Sequence, residues 1–373
     1  MKRRISLPRH SFDPSRRRFN ASMAALGLAS ISLPMGIRPA MAQQTNLSVM
    51  TYTNYHVEGL IPGYIAKYGS LPDASFMSDD EDALQKLRGG FTTDTAHPNT
   101  SSVGRWRDAG LIKPIDTSRL PNWENLFDVV KNLKGVSEGD ETFICPTGWG
   151  NASIIYRTDL VDPEDVEDPS WALLSNPKYR GRVAASTVLE DLVLPAALQL
   201  DVDNIFAMTD EEIAEVKQLL KRQHENLRNY WSSITDMEQG LASGALVAAV
   251  GWNTSVNSLK KQGIPVAYMQ PKEGMLTWLD GVVHTTQGNA SDEEVYDYMN
   301  AWIAPEAGQH LIEEIGYGHS NKNSFDLVSS QRLVELGLDD PIGNLNKGVF
   351  YEEIEGRIRE KYSRMIEEVK AGF

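Results

Sequence analysis

Ala245-Leu246-Val247-Ala248-Ala249-Val250-Gly251-Trp252 is a compact apolar run with β-branched residues, and it reads as a buried strand ending in Trp252. Helical sequence lies on both sides of it. Upstream, Thr209 and Glu212 have the spacing of a capping box, in which each side chain bonds the other residue's backbone N–H. Ile213, Val216 and Leu220 follow at helical spacing. Downstream, Ser291 and Glu294 form a second such box, with Val295, Met299 and Trp302 on one stripe; Pro305 is expected to end that helix. The chain closes on a predicted helix over 351–371, whose apolar side is Ile354, Ile358, Met365, Ile366 and Val369. Toward the N-terminus, residues 47–53 alternate apolar and polar as a first strand does. Residues 60–68 put Leu60, Ile61, Tyr64 and Ile65 on one helical face, against the breaking tendency of Pro62 and Gly63. Residues 80–87 predict a short helix with Leu84 and Leu87 inward. Strands that alternate with helices predict an α/β fold.

The first 42 residues predict an export signal rather than structure. Ser15-Arg16-Arg17-Arg18-Phe19 is a twin-arginine block, a modest apolar stretch follows over 21–37, and Ala40-Met41-Ala42 fits a small-residue cleavage site. Pro34 and Arg38 interrupt the apolar stretch, which falls short of the ~20 residues that span a bilayer. Residues 43–373 are then the mature, periplasmic protein. They carry a net charge of −22, because the whole chain is −15 and the leader +7. Such a surface repels nucleic acid and anionic lipid and suits a dispersed monomer; it mildly favours cationic ligands. Cys145 is the single cysteine, so no internal disulfide and no cysteine-based zinc site can form.

Several short blocks recur in one order. They are Pro114-Ile115-Asp116 with Leu120-Pro121-Asn122; Gly148-Trp149-Gly150 ahead of the strand 153–156; Asn176-Pro177-Lys178-Tyr179-Arg180-Gly181-Arg182; Gly251-Trp252-Asn253-Thr254-Ser255; Pro271-Lys272-Glu273-Gly274 leading into Thr277-Trp278-Leu279-Asp280; and Ile315-Gly316-Tyr317. Together they resemble the bacterial spermidine/putrescine-binding proteins, the extracytoplasmic receptors of ABC uptake transporters. The resemblance implies a two-lobed periplasmic-binding-protein fold, with crossover segments as a hinge and a ligand cleft between the lobes. Lobe one is then 43–150 plus 278–325, and lobe two 151–277 plus 326–373. It further implies a cationic small-molecule ligand, permease subunits as partners, and neither a cofactor nor an enzymatic activity.

An organic ammonium wants a carboxylate, an aromatic face and exclusion of water. Side chains alternate across a strand, so Trp278 and Asp280 share one face and can hold one ammonium by a charge-assisted hydrogen bond and a cation–π contact. The plain alternative is a core tryptophan beside a surface aspartate. Trp252, at the end of its strand, is a second candidate wall; Asn253, Thr254 and Ser255 open the next helix and can cap it. Tyr317, flanked by glycines, has the context of an exposed turn with its phenol toward a ligand. By resemblance, Tyr52 and Tyr55 stand where the family has W-x-x-Y, and Asn99 and Ser101 stand within its P-S-T-Y. Val188 falls on an aspartate of the family, Asp191 on a glutamate, and Glu190 is a nearby substitute.

With Asp280 and Asp191 as the two acids, charge matching favours a putrescine-like diamine over a triamine, since a buried unpaired charge is costly. A monocationic amine, a quaternary ammonium or an amino-acid-like solute caged by Tyr52, Trp252 and Trp278 is the alternative. An enzyme could pair Glu190, Asp191 and Asp280 as acid and base, but no nucleophile-elbow, P-loop or dinucleotide fingerprint occurs. A metal receptor has His284 and His319 near the expected cleft, with no H-x-x-x-H and no paired tyrosines.

Overall fold

The structure is a computed structural model and describes residues 45–372. The expected export signal over 1–42 lies outside the described residues. In chain order the strands are Ser48–Thr51 (β1), Asp73–Phe76 (β2), Thr95–Ala96 (β3), Ile112–Lys113 (β4), Ser137–Glu138 (β5), Glu141–Thr142 (β6) and Cys145–Arg157 (β7). They continue with Val183–Ser186 (β8), Leu227–Trp231 (β9), Ala248–Trp252 (β10), Val266–Tyr268 (β11), Met275–Thr285 (β12), Gly318–His319 (β13) and Gly348–Phe350 (β14). β5 and β6 pair only with each other. The rest form one sheet of order β2-β1-β3-β12-β7-β10-β8-β9, with β4 and β14 on β12, and β11 and β13 on β7.

The sheet has two halves, and two long antiparallel strands carry the chain between them. β1, β2 and β3 run parallel in one half; β10, β8 and β9 run parallel in the other. Val283–Thr285 of β12 pair with β3 and β4, while Leu276–Val282 pair with β7. The β12–β7 register slips between Asp280 and Gly281. A bulge of this kind bends a strand and re-aims the side chain beside it, so Asp280 sits where the two halves meet. Glycines let the crossing strands close up. A Cβ on Gly281 would stand 2.4 Å from the Cys145 carbonyl oxygen, and one on Gly150 would stand 2.2 Å from the Trp278 ring. Trp149, between Gly148 and Gly150, faces the other way and is wholly buried against Gly318.

The alternation of strands and helices gives the α/β class expected. Ala248–Val250 are fully enclosed, as a strand covered on both faces must be. The Thr209 capping box forms with both of its bonds and starts the helix Asp210–Asn226. The helix Asp80–Arg88 buries Leu84 and Leu87.

Three local expectations are corrected. Pro62 starts the helix Pro62–Tyr68 at its first position, where a missing N–H costs nothing. The helix Asp292–Trp302 does end ahead of Pro305, and Pro305 opens the next one, Pro305–His310. At Ser291 only half of the box forms: its hydroxyl takes the Glu294 N–H, but Glu294 turns away to accept from the backbone of Asn46 and Leu47 and from the Tyr64 phenol. The terminal helix spans Gly356–Lys370 rather than 351–371, because β14 pairs with β12 and holds the chain extended to its end.

Candidate ligand-binding site

At one end of the site stands Asp280. The Tyr55 phenol donates to its Oδ2 at 3.0 Å and the Asn99 amide nitrogen to its Oδ1 at 3.3 Å. Asn99 caps the helix Thr100–Asp108, and its Oδ1 accepts from the Ser101 N–H and hydroxyl. The Asn99 backbone N–H donates to Asp80 Oδ2 at 3.0 Å, and the Tyr52 phenol donates to Asp80 Oδ1 at 2.9 Å. Tyr52 and Tyr55 lie edge to face, 5.8 Å apart, on the turn after β1. One asparagine thus joins two carboxylates, and each carboxylate is held by a tyrosine.

Trp278 and Tyr317 form the wall beside Asp280, edge to face with centroids 4.6 Å apart. Beyond them lies Asp191, in the first turn of the helix Leu189–Gln199 and 1% exposed. The Tyr351 phenol bonds Asp191 Oδ1, while Oδ2 is buried without a hydrogen-bond partner. The Trp252 indole lies close enough to Asp191 to favour its charged form, and packs edge-on to Trp231 at 5.4 Å. Tyr317 feels the charges of both Asp280 and Asp191, so it lies within reach of both.

Burial decides the electrostatics. It pushes the carboxyl of Asp280 up to about 7, and the neighbouring Asp80 adds repulsion; Tyr55 and Asn99 pull it partly back. Asp191 is likewise raised to about 7 by burial, against the Tyr351 bond. Asp80 is raised by burial, against hydrogen bonds from Ser102, Asn99 and Tyr52. The phenols of Tyr52, Tyr55 and Tyr351 are held well above their usual range by burial and these acids, so they remain neutral donors. Among the described residues, no lysine, arginine or histidine forms an ion pair with Asp80, Asp191 or Asp280; the nearby Arg105 and Arg359 pair with Glu81 and Glu190 instead.

The structure brings Tyr52, Tyr55, Asn99 and Asp280 together at one end, Trp278 and Tyr317 alongside, and Asp191 with Trp252 at the other. Ser101 is turned onto Asn99 and supports it. Tyr317 is 6% exposed, not in an exposed turn, because Trp278 packs on its ring. Asn253 caps no helix: its side chain bonds the Asn151 N–H and the Gly316 carbonyl, tying β7 to the turn that carries Tyr317. Glu190 is taken by Arg359 and does not substitute for a missing acid. His319 is fully buried between Ser324 and the Trp302 carbonyl, away from the cleft, and His284 packs on Tyr296. Asp80, Tyr268 and Tyr351 went unread in the sequence. Asp80 looks like an ordinary acid opening a helix. Tyr268, bonded to the Asn151 and Gly251 carbonyls, and Tyr351 carry no local signal.

Comparison with known proteins gives the family and the fold. Residues 75–337 match the sequence model of the bacterial extracellular solute-binding proteins. The putrescine-binding periplasmic protein PotF of Escherichia coli (strain K12) is 25% identical over 331 residues, covering 84% of this chain and 88% of PotF. The spermidine/putrescine-binding periplasmic protein of the same organism is 26% identical over 352 residues, covering 92% and 97%. Among solved structures, the spermidine/putrescine ABC transporter substrate-binding protein PotD of Streptococcus pneumoniae superposes with a TM-score of 0.74 at 19% identity, covering 88% of this chain and 99% of that one. The binding protein MotA of A. tumefaciens B6, in complex with glucopine, superposes with a TM-score of 0.70 at 14% identity, covering 86% and 99%. The fold is thus the two-lobed one of periplasmic solute-binding proteins.

Proposed function

The chain belongs to the bacterial extracellular solute-binding protein family, and from that premise we propose that it is the extracytoplasmic receptor of an ABC uptake transporter for a putrescine-like diamine. The observation that carries this reading is the cleft's unpaired negative charge: Asp80, Asp280 and Asp191 are held only by neutral donors and lack a protein cation among the described residues. Buried carboxylates of this kind are costly until a cation arrives. The two ends, Asp280 with Asp80 and Asp191 with Tyr351, are separated by Trp278 and Tyr317. Two anionic ends with an aromatic middle match a ligand with two ammonium heads and an alkyl linker. The relatives whose names specify putrescine or spermidine support the ligand class.

In this reading lobe one is 43–150 plus 278–325, lobe two 151–277 plus 326–373, and β7 and β12 are the hinge strands. Asp280 stands at the crossing and Asp191 on lobe two, so a ligand that bonds both favours the closed form. The loaded protein then docks on permease subunits, with residues 1–42 removed on export by the twin-arginine route.

Calorimetry with putrescine and spermidine tests the assignment. Removing one partner of a buried charge pair costs ~3–5 kcal/mol, so Asp280→Asn should weaken putrescine binding by about a hundredfold or more. Trp278→Ala should cost less, since a cation–π contact is worth ~0.5–2 kcal/mol. Spermidine bound more tightly than putrescine would overturn the diamine ranking, and an Asp280→Asn protein with wild-type affinity would remove the anchor.

A further inference from the structure

Asp80 has a place in the site that no resemblance assigns to it. It opens the helix Asp80–Arg88, yet its carboxylate is turned inward onto the Tyr52 phenol and the Asn99 N–H. The same Asn99 donates to Asp280 through its side chain, and Asn99 and Asp280 form an isolated β-bridge. The two acids are therefore spaced by a single residue whose conformation is locked by Ser101. Independently of this pair, Asp191 Oδ2 is fully buried without a hydrogen bond, with the Trp252 and Ser186 side chains beside the carboxyl.

We propose that Asp80 and Asp280 act as one paired-carboxylate subsite, joined through Asn99, which holds a single proton while the cleft is empty and exchanges it for the cationic head of the ligand. The proposal rests on the reading of the cleft as an amine site and adds Asp80 to it. Tyr52 and Tyr55 donate from the turn after β1. Ser102 and Arg105 face Asp80 from the helix Thr100–Asp108, and Arg359 lies within its field from the terminal helix. Tyr317 lies beyond Asp280. Both arginines form their ion pairs with Glu81 and Glu190; Arg105 draws Asp80 down through its charge, but neither forms an ion pair with Asp80 or Asp280. Two like charges in one enclosed site cannot both ionise without help, and one keeps its proton. When an ammonium enters, it arrives already protonated and donates N–H to both acids. The retained proton then leaves to bulk water, and the two acids go from one net negative charge to two, offset by the ligand head.

Two consequences follow. Amine affinity rises with pH through the slightly acidic range, and binding there releases a proton. Calorimetry of the purified protein with putrescine, slightly below neutrality and in two buffers of different ionisation enthalpy, reads that release directly. Two sources contribute to the release, the pair and Asp191, whose buried carboxyl also gives up its proton when the second ammonium arrives. Asp80→Asn should release clearly less than wild type and weaken putrescine about tenfold, while Asp80→Glu restores both. Asp191→Asn should lose only its own share and keep the difference that Asp80→Asn makes. Equal release in wild type and Asp80→Asn would overturn the proposal, as would equal heats in both buffers. If no amine binds, the amine reading itself fails, and the pair is judged on the empty protein. The infrared carbonyl band of its protonated carboxyl should titrate at lower pH in Asp80→Asn than in wild type; an unmoved band would overturn the pair as well.

Discussion

Asp191 carries its cost in the empty protein. Burial raises its carboxyl to about 7, against an ordinary value of about 3.9 in the unfolded chain. Below the unfolded value both states hold the proton and there is no penalty. Between the two values only the folded state binds the proton, so stability falls as pH rises, by about 1.4 kcal/mol per unit, and levels off above the folded value. Asp191→Asn removes that slope. The ligand-free variant should melt higher than wild type near pH 8 and match it near pH 4, while losing affinity for its amine; calorimetric melts across that range check both signs. Sites built for binding are often destabilised in this way, with the missing partner supplied by the ligand.

At the scale of elements, the crossing strands decide where the aromatic wall stands. Gly150 of β7 leaves room for the Trp278 indole, and a Cβ there would stand 2.2 Å from its ring. The clash meets a ring wedged against Tyr317, which has little freedom to give way. Gly150→Ala should therefore displace Trp278 and weaken amine binding about tenfold, with an overpacking cost of ~1–3 kcal/mol in stability. Gly181→Ala is the contrast, since a Cβ there meets no atom. It should leave binding unchanged and cost only the strain of its left-handed backbone, φ 74°. Calorimetry and denaturant melts on the two variants separate positioning from folding. An unchanged affinity in Gly150→Ala would mean that Trp278 is not the ligand's wall.

For the whole molecule, the proposed closure and export are what can be measured. A ligand that bonds acids on both sides of the hinge strands pulls the lobes together. Small-angle scattering should give a smaller radius of gyration with saturating putrescine than without it, and unchanged dimensions would count against the hinge. Export is tested on the leader: Arg16→Lys with Arg17→Lys should leave the protein inside the cell, read by fractionation, because the twin-arginine route requires the pair. Normal accumulation outside would mean another route.

Local sequence determined the elements and the side-chain pairings whose geometry is local. Alternation along β12 put Trp278 and Asp280 on one face without any knowledge of the fold, because the side-chain period of a strand is two everywhere. The Thr209 box and the apolar run into Trp252 were legible for the same reason: caps and burial patterns depend on neighbours a few residues away. Tertiary structure alone decided the rest. Asp80 is joined to Asp280 because Asn99 bonds both, 200 positions apart along the chain. Tyr351 reached Asp191 across 160 positions, and it is extended rather than helical because β14 pairs with β12. Tyr317, read as exposed, is buried because Trp278 packs on it. A hydrogen bond or ring contact between distant segments leaves no period in either segment, so pattern cannot reveal it. It exists only once the two halves of the sheet are joined through β7 and β12.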